Sequence, residues 1–406
     1  MMVMKKFMAV LGVLLGILAS YPQALTLQEA VAWSLSNHPA LKSVFQDYEL
    51  TDAQIQRESG LPNPIASGAF LSGAESKKEW GVEQDISKWF FAFLKGKHFD
   101  AQRAQTKAAI AKAVIEQRFQ TKLAYVTFQS DLDIHELNQQ VLESEKAALD
   151  LAQKQFDAGN TSALDLAIQK SVYTDRQIDF EKSLVQLDQD HLLLQQELGV
   201  TTSNWAITEK MPNLPITDPT LAVLESSVSK NIEMVLLEVQ LTQIKESQFS
   251  NQLADAVQSI SVGIKQESEG VTKTGPSFQV SVPLWNQGQN SVRKDEAEIK
   301  KLMFLMQTKK QALLTEIRMT YAQLLSLKKQ AVLVQASLIP ARTEALDQTL
   351  KHYNYMLKGV YALLQAKQEE LTAKKAYLIL VRDYWVTRWK LEQLTGLDFS
   401  KESRHD

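Results

Sequence analysis

Apolar residues recur at alternating spacings of three and four over much of the chain. In the second half they form one seam, which contains Met303, Met306, Leu313, Ile317, Leu324, Leu327, Ala331, Val334 and Leu338. A sustained 3,4 spacing is typical of coiled-coil helices. The patterns predict two long helices and four shorter ones, over 97–158, 292–357, 27–57, 162–198, 221–253 and 360–394.

The two long helices exceed what a globular domain needs. At about 1.5 Å of rise per residue, 97–158 and 292–357 would each extend roughly 90–100 Å. The two short helices of each half, placed end to end, would match that length. The expected fold class is therefore mainly α, with long coiled-coil helices packed side by side.

Between a short and a long helix, apolar residues instead alternate with polar ones, which predicts β-hairpins at 64–88 and 257–285. The predicted apolar face contains Trp80, Val82, Ile86, Ile260, Val262, Ile264, Phe278, Val280, Val282 and Leu284. Such alternation fits any half-buried antiparallel sheet, but it is also what a transmembrane β-barrel requires. Four strands cannot close a barrel, so several subunits would have to contribute strands.

The order of helix, hairpin, long helix and helix occurs twice. Asn37 lines up with Asn231, and Gly159 lines up with Gly359, at a separation of about 200 residues. The sequence therefore predicts a tandem duplication. Its predicted parts are a first repeat over 25–198, a proline-containing linker over 199–219, a second repeat over 220–396 and a polar tail over 397–406.

The N-terminal segment 1–24 is predicted to be a secretory signal peptide. Lys5 and Lys6 precede an apolar run over 7–18, and small residues such as Ala24 follow it. The alternative is a retained membrane anchor, but the run is short for a helix that spans a bilayer. A signal peptide would direct the chain out of the cytoplasm.

Composition limits the chemistry that the chain can carry. It contains 15 glycines and 10 prolines in 406 residues, which favours long helices. The absence of cysteine excludes disulfides, thiolate metal sites, a cysteine nucleophile and a lipidated N-terminal cysteine. The net charge of −3 gives no general case for nucleic-acid binding, and the six histidines are scattered. The sequence thus predicts no enzyme, metal site or cofactor.

Several ordered motifs carry a resemblance to a known family. They are Leu25–Ala30, Gly60–Pro64 before the first hairpin, Phe156–Asp165, and the stretch GPSFQVSVPLWNQG over 275–288. Together they resemble the TolC-like outer membrane efflux proteins, closest in motif to those of resistance-nodulation-division pumps of the heavy-metal type. The resemblance implies a homotrimer whose long helices form an α-barrel. It also implies a twelve-stranded transmembrane β-barrel that continues this α-barrel, with four strands from each subunit.

The resemblance also implies a function. Such a trimer would be the passive outer membrane exit duct of a tripartite efflux pump, extending into the periplasm of a Gram-negative cell. Its partners would be a periplasmic adaptor protein, an inner membrane pump and outer membrane lipid. Metal cations and drugs are both open as substrates. Two alternatives remain: a type I protein secretion duct, and a periplasmic coiled-coil adaptor without a channel.

Gly159 and Gly359 are predicted to mark two periplasmic tips, where each long helix ends and the chain reverses. Glycine takes positive φ without steric cost, so we expect both to adopt it. Ser162 is the predicted cap of the first returning helix. Both tips are expected to contact the adaptor.

Acidic residues of the second tip form an entrance ring in the resembled family, but the corresponding positions here are Gln365 and Gln368. This departure puts an acidic ring at that tip in doubt. Asp165 keeps an acidic side chain at the first tip. It could face the tunnel entrance, or it could act only as a carboxylate that caps the helix after Ser162.

Overall fold

The computed structural model describes residues 25–71, 77–201, 207, 209–269, 271–285, 287–397 and 399. The predicted signal peptide and most of the predicted polar tail lie outside these residues. The first half contains α1 (Leu27–Asn37), α2 (Pro39–Ser59), β1 (Ile65–Leu71), β2 (Lys77–Asp85), α3 (Ser87–Leu94), α4 (Gly96–Asp157) and α5 (Ala163–Leu198). The second half contains α6 (Leu221–Ser226), a 3-10 turn (Val228–Lys230), α7 (Ile232–Ala256), β3 (Ile260–Glu269), β4 (Val271–Val280), α8 (Gln289–Leu333), a π turn (Val334–Leu338), α9 (Ile339–Asn354) and α10 (Val360–Thr395).

Each helix predicted to open a repeat is broken once. His38 takes an extended conformation because the proline that follows disfavours the helical one. Asn231 is also non-helical, and its side chain accepts the backbone N–H two residues later. The predictions of continuous helices over 27–57 and 221–253 are therefore wrong at these two breaks.

The helix α3 was not predicted. Its sequence, SKWFFAFL, is almost wholly apolar, so it carries no helical alternation of apolar and polar residues. Only Ser87 and Phe91, four residues apart, are buried. The prediction that 64–88 is hairpin alone therefore misses the helix that begins at Ser87.

The second long helix follows one helical path through α8, the π turn and α9. The π turn ends two residues before Pro340, which has no backbone N–H to donate to the preceding turn. The helical path ends at Asn354, three residues before the end of the predicted 292–357 helix.

The four strands form one antiparallel sheet in the order β1-β2-β3-β4. The two hairpins are thus joined through β2 and β3. Each of β1 and β4 has a strand neighbour on one side only within the described residues. The sheet of a single chain is consequently open at both edges.

Two apolar clusters hold the helices together. One surrounds Tyr125 and Leu198, and the other surrounds Ile317 and Tyr384. The predicted seam is buried in its middle, at Leu313, Ile317, Leu324 and Ala331, but its ends are exposed. Among the described helices, none is both long enough and apolar enough to cross a membrane.

Candidate functional site

One face of the sheet carries the residues predicted to face lipid. The register places Val82 opposite Ile264, and Val262 opposite Phe278, so these side chains project from the same face. Phe278 is 77% exposed in the single chain. The predicted residues within the strands that share this face are Trp80, Val82, Ile260, Val262, Ile264, Phe278 and Val280. The others lie just beyond the strand ends, at Ile86, Val282 and Leu284.

The apolar band covers only part of this face. In the row of Trp80, the next two strands carry Gln266 and Thr274, and on β2, β3 and β4 the residues nearer the hairpin turns are polar too. On β1, by contrast, Phe70 lies opposite Lys78 and is 81% exposed. Gln84 interrupts the band, but its amide nitrogen donates a 2.7 Å hydrogen bond to the carbonyl of Pro62. The band therefore lies toward the strand ends that lead into the helices.

The opposite face carries a ladder of paired charges. A Glu79 carboxylate oxygen lies 3.0 Å from the ammonium of Lys77, and the other lies 3.0 Å from that of Lys265. Lys77 also pairs with Glu267 on β3. Charged side chains are costly against lipid and common against a water-filled lumen. The two faces therefore suit different environments.

The first tip has a glycine turn and a capping box. Gly159 has φ +75°, and a Cβ added there would meet no atom within 4 Å. The Ser162 hydroxyl accepts from the Asp165 backbone N–H at 3.1 Å and donates to the Asp165 carboxylate at 2.7 Å. The hydrogen bonds that the Ser162 hydroxyl and backbone N–H donate to the Asp165 carboxylate lower the pKa of Asp165. Asp165 thus has the capping geometry that the sequence allowed, and its side chain remains exposed.

The second tip is built differently. Gly359 has φ −77° and ψ 164°, which is extended backbone that precedes α10 as its N-cap. The residue with positive φ is Met356, at 59°, and its side chain is 94% exposed. The prediction of positive φ at Gly359 is therefore wrong. The chain reverses three residues earlier, at a residue type that rarely adopts this conformation.

The two glutamines of the second tip contact charged neighbours. The Gln365 amide nitrogen donates to Glu369 at 3.2 Å, and Gln368 lies against the Arg176 guanidinium of α5. Glu369 also pairs with Arg342. The Glu369 carboxylate was not identified from the sequence, although the pattern of acidic and basic residues along α10 could have indicated it.

A buried carboxylate follows directly at Glu370. Lys367 and Lys374 approach it at 2.9 and 2.7 Å. Burial acts to raise the pKa of Glu370, but the hydrogen bonds from the two lysines outweigh it and lower that pKa. Carboxylates at this end of α10 are thus neutralised by cations on the same or a neighbouring helix.

A pair of carboxyl groups lies between the helices and was not identified from the sequence. Asp131 on α4 is hydrogen-bonded to Asp190 on α5, and Arg382 on α10 lies 3.6 Å from Asp131. Gln186 donates to both oxygens of Asp190 at 3.1 Å. Burial and the neighbouring Asp190 raise the pKa of Asp131 to about 7. Single acidic residues on long charged helices gave no sequence signal for this contact.

Two histidines, His135 and His191, occupy packing positions between helices. His191 stacks on Phe128 with ring centroids 5.3 Å apart, and His135 bonds to Ser183 at 3.0 Å. Within the part of the chain that the structure describes, no three histidine, aspartate or glutamate side chains are grouped as a metal ion would need.

Comparisons with solved structures place the fold. Neither a protein-family model nor a curated protein sequence matches the chain. The outer membrane channel CmeC of Campylobacter jejuni matches with a TM-score of 0.76 and 15% identity, covering 96% of this chain and 94% of that one. CusC, whose structures describe transmembrane channel formation, matches at 0.74 and 16%, with 92% of each chain covered. The open Neisseria gonorrhoeae MtrE outer membrane channel matches at 0.73 and 13%, over 94% and 93%. The chain therefore has the fold of the TolC-family outer membrane channels.

Proposed function

We propose that this protein is a passive outer membrane exit duct of an efflux pump. The observation that carries the proposal is the likeness of fold to outer membrane channels over more than nine-tenths of each chain. The sheet fits the same role, because one face is apolar toward its helical end while the other carries paired charges. The first face would contact lipid, and the second would line a water-filled lumen.

The proposed duct is a homotrimer. Unpaired strand edges are not tolerated in lipid, so β1 of one copy would pair with β4 of the next. Three copies of the four-stranded sheet would then close one barrel of twelve strands. The long helices would continue this barrel into the periplasm as an α-barrel.

The tips would contact a periplasmic adaptor, and through it an inner membrane pump that supplies the energy. We propose Gly159, Ser162 and Asp165 as adaptor-contact residues of the first tip, and Gly359, Gln365 and Gln368 as those of the second. The Asp165 carboxylate is exposed as well as capping, so it remains available to cations at the entrance. Replacing Asp165 by asparagine separates the two roles. Lower cation conductance with unchanged helix content would support an entrance role.

The test begins with the assembly. The protein is extracted from outer membrane fractions in detergent, and its mass is measured with the detergent contribution subtracted. The proposal requires three copies and a heat-sensitive sheet signal in circular dichroism. A stable monomer with full strand content would refute it, and so would recovery from the soluble periplasmic fraction, which fits a coiled-coil adaptor.

Purified trimers are then placed in planar bilayers, where they should conduct ions. A deletion strain tested against metal salts, dyes and antibiotics would identify the exported class. Crosslinking in cells should recover an adaptor and a pump. Recovery of a protein-secretion transporter instead, with unchanged susceptibility, would favour the type I secretion duct.

A further inference from the structure

The short helix α3 exposes an unusual aromatic surface. While Ser87 and Phe91 are buried against the neighbouring helices, Trp89, Phe90 and Phe93 point away from them. Phe93 is 85% exposed. Contiguous exposed aromatic residues on one helix need a partner, since water is a poor environment for them.

The second repeat places a similar surface at the matching position. Ile86, directly before α3, lines up with Leu284, and Trp285 follows it. Trp285 is 88% exposed, and Leu284 is exposed as well. Both segments leave the same end of the sheet, because the backbone N–H of Ile86 still bonds to the carbonyl of Ile260 at 2.9 Å. The aromatic surface therefore lies where the strands lead into the helices.

The apolar band of the sheet is shorter than the membrane is thick, and the aromatic surface of α3 could supply the remaining height. From Trp80 to Ile86 the strand rises about 20 Å, or about 15 Å along the membrane normal at a tilt of about 40°. The apolar band of an outer membrane barrel is about 25 Å tall, so roughly 10 Å is missing on β2. A helix lying across the strand ends is about 10 Å in diameter, which is the missing height.

We propose that α3 and Trp285 form an anchor in the periplasm-facing phospholipid leaflet of the outer membrane. This proposal rests on the duct proposed above. Aromatic side chains favour the boundary between the acyl chains and the headgroups. Lys88 lies in the first turn of α3 and Lys95 directly follows it, both on the side of Phe91. Their long side chains would extend from there to the phosphates of that leaflet. The aromatic surface thus continues the apolar sheet face down to the headgroups.

A depth measurement tests the anchor. Since the chain contains no cysteine, each introduced cysteine is a unique site for a fluorescent label. Labels are placed by Phe93→Cys and Trp89→Cys on α3, by Phe278→Cys on the sheet face and by Leu164→Cys at the tip. The labelled trimers are reconstituted in phosphatidylethanolamine and phosphatidylglycerol vesicles that carry bromine near either end of the acyl chain.

The α3 labels should lose about half of their emission with bromine near the headgroup end and less with bromine near the chain terminus. The Phe278 label should be quenched more by the terminal bromine, and the Leu164 label by neither. Quenching at Phe278 without quenching at either α3 site would overturn the anchor and leave the duct standing. The surface would then be covered by a neighbouring copy. Absence of quenching at Phe278 as well would refute the membrane placement of the duct itself.

Discussion

The carboxyl pair of Asp131 and Asp190 predicts a pH-dependent stability that one substitution should abolish. The pKa of Asp131 rises from 3.8 to about 7 because burial and the adjacent Asp190 disfavour its charge. Between these two values, the folded chain keeps a proton that the unfolded chain has lost. Its stability therefore falls as the pH rises from about 3.8 to about 7, and stays lowered above that. Asparagine at position 131 cannot ionise, so it should be free of this loss.

The magnitude follows from the shift. At about 1.4 kcal/mol per pKa unit, a rise from 3.8 to about 7 corresponds to about 4 kcal/mol. The rise to about 7 already includes the opposing charge of Arg382, 3.6 Å away, while local relaxation and the water that reaches the pair reduce the penalty. We expect the free energy of unfolding of Asp131→Asn to exceed that of the unsubstituted chain by roughly 2–4 kcal/mol at pH 8, and to match it near pH 4.

Denaturant unfolding of the detergent-solubilised protein, followed by far-ultraviolet circular dichroism, measures this difference across the pH range. Asp190→Asn removes the neighbouring carboxyl group but leaves Asp131 buried, so its gain should be smaller than that of Asp131→Asn and should also grow with pH. The double variant should gain little more than Asp131→Asn alone, because both substitutions remove one shared contact. A gain that is the same at low and high pH, or a loss at pH 8, would refute the reasoning.

Three further predictions test the tips and the sheet. Gly159→Val should lower the stability of the first tip by roughly 1–3 kcal/mol because Gly159 has φ +75°, whereas Gly359→Val should be tolerated because the backbone at Gly359 is extended. Limited proteolysis should therefore cut the first tip faster in Gly159→Val and leave the second tip unchanged in Gly359→Val. Val262→Arg, on the apolar face, should lower the stability of the trimer in the membrane by roughly 2–4 kcal/mol, and Ser261→Arg, on the charged face, should lower it much less. The melting temperature of the trimer measures both, and equal losses of stability would contradict the assigned faces. Gln365→Asp should raise the cation preference of channels in planar bilayers, and unchanged selectivity would place this residue away from the entrance.

The long elements could be predicted from the sequence because their patterns repeat many times. The seam from Leu313 to Ala331 is buried as a 3,4 spacing requires, and the alternation along β3 and β4 matches the observed register. The breaks at His38 and Asn231 depend on single residues inside otherwise regular helices. The proline after His38 was a usable local signal, whereas the asparagine acts through one capping bond.

The parts that sequence reasoning missed depend on contacts between distant segments. Helix α3 has no alternating pattern because its second apolar surface is exposed rather than buried. The contact of Asp131 with Asp190 depends on how two helices are placed side by side, which no spacing along either helix encodes. At the second tip, equivalence to Gly159 suggested positive φ at Gly359, but duplicated segments need not reverse the chain by the same turn. Met356 adopts that conformation instead.

In the proposed duct, closing the sheet and entering the membrane must be coupled. β4 is a strand of ten residues whose outer edge has no strand neighbour among the described residues, so about half of its backbone groups would meet lipid unpaired in an inserted monomer. Each such group costs several kcal/mol in hydrocarbon, and the other open edge at β1 adds to the penalty. That penalty far exceeds the stability of an ordinary domain. The helices, which expose apolar side chains such as Leu192 and Leu193 on α5, can associate in water first. Their association would bring β1 and β4 of neighbouring copies together before or during insertion.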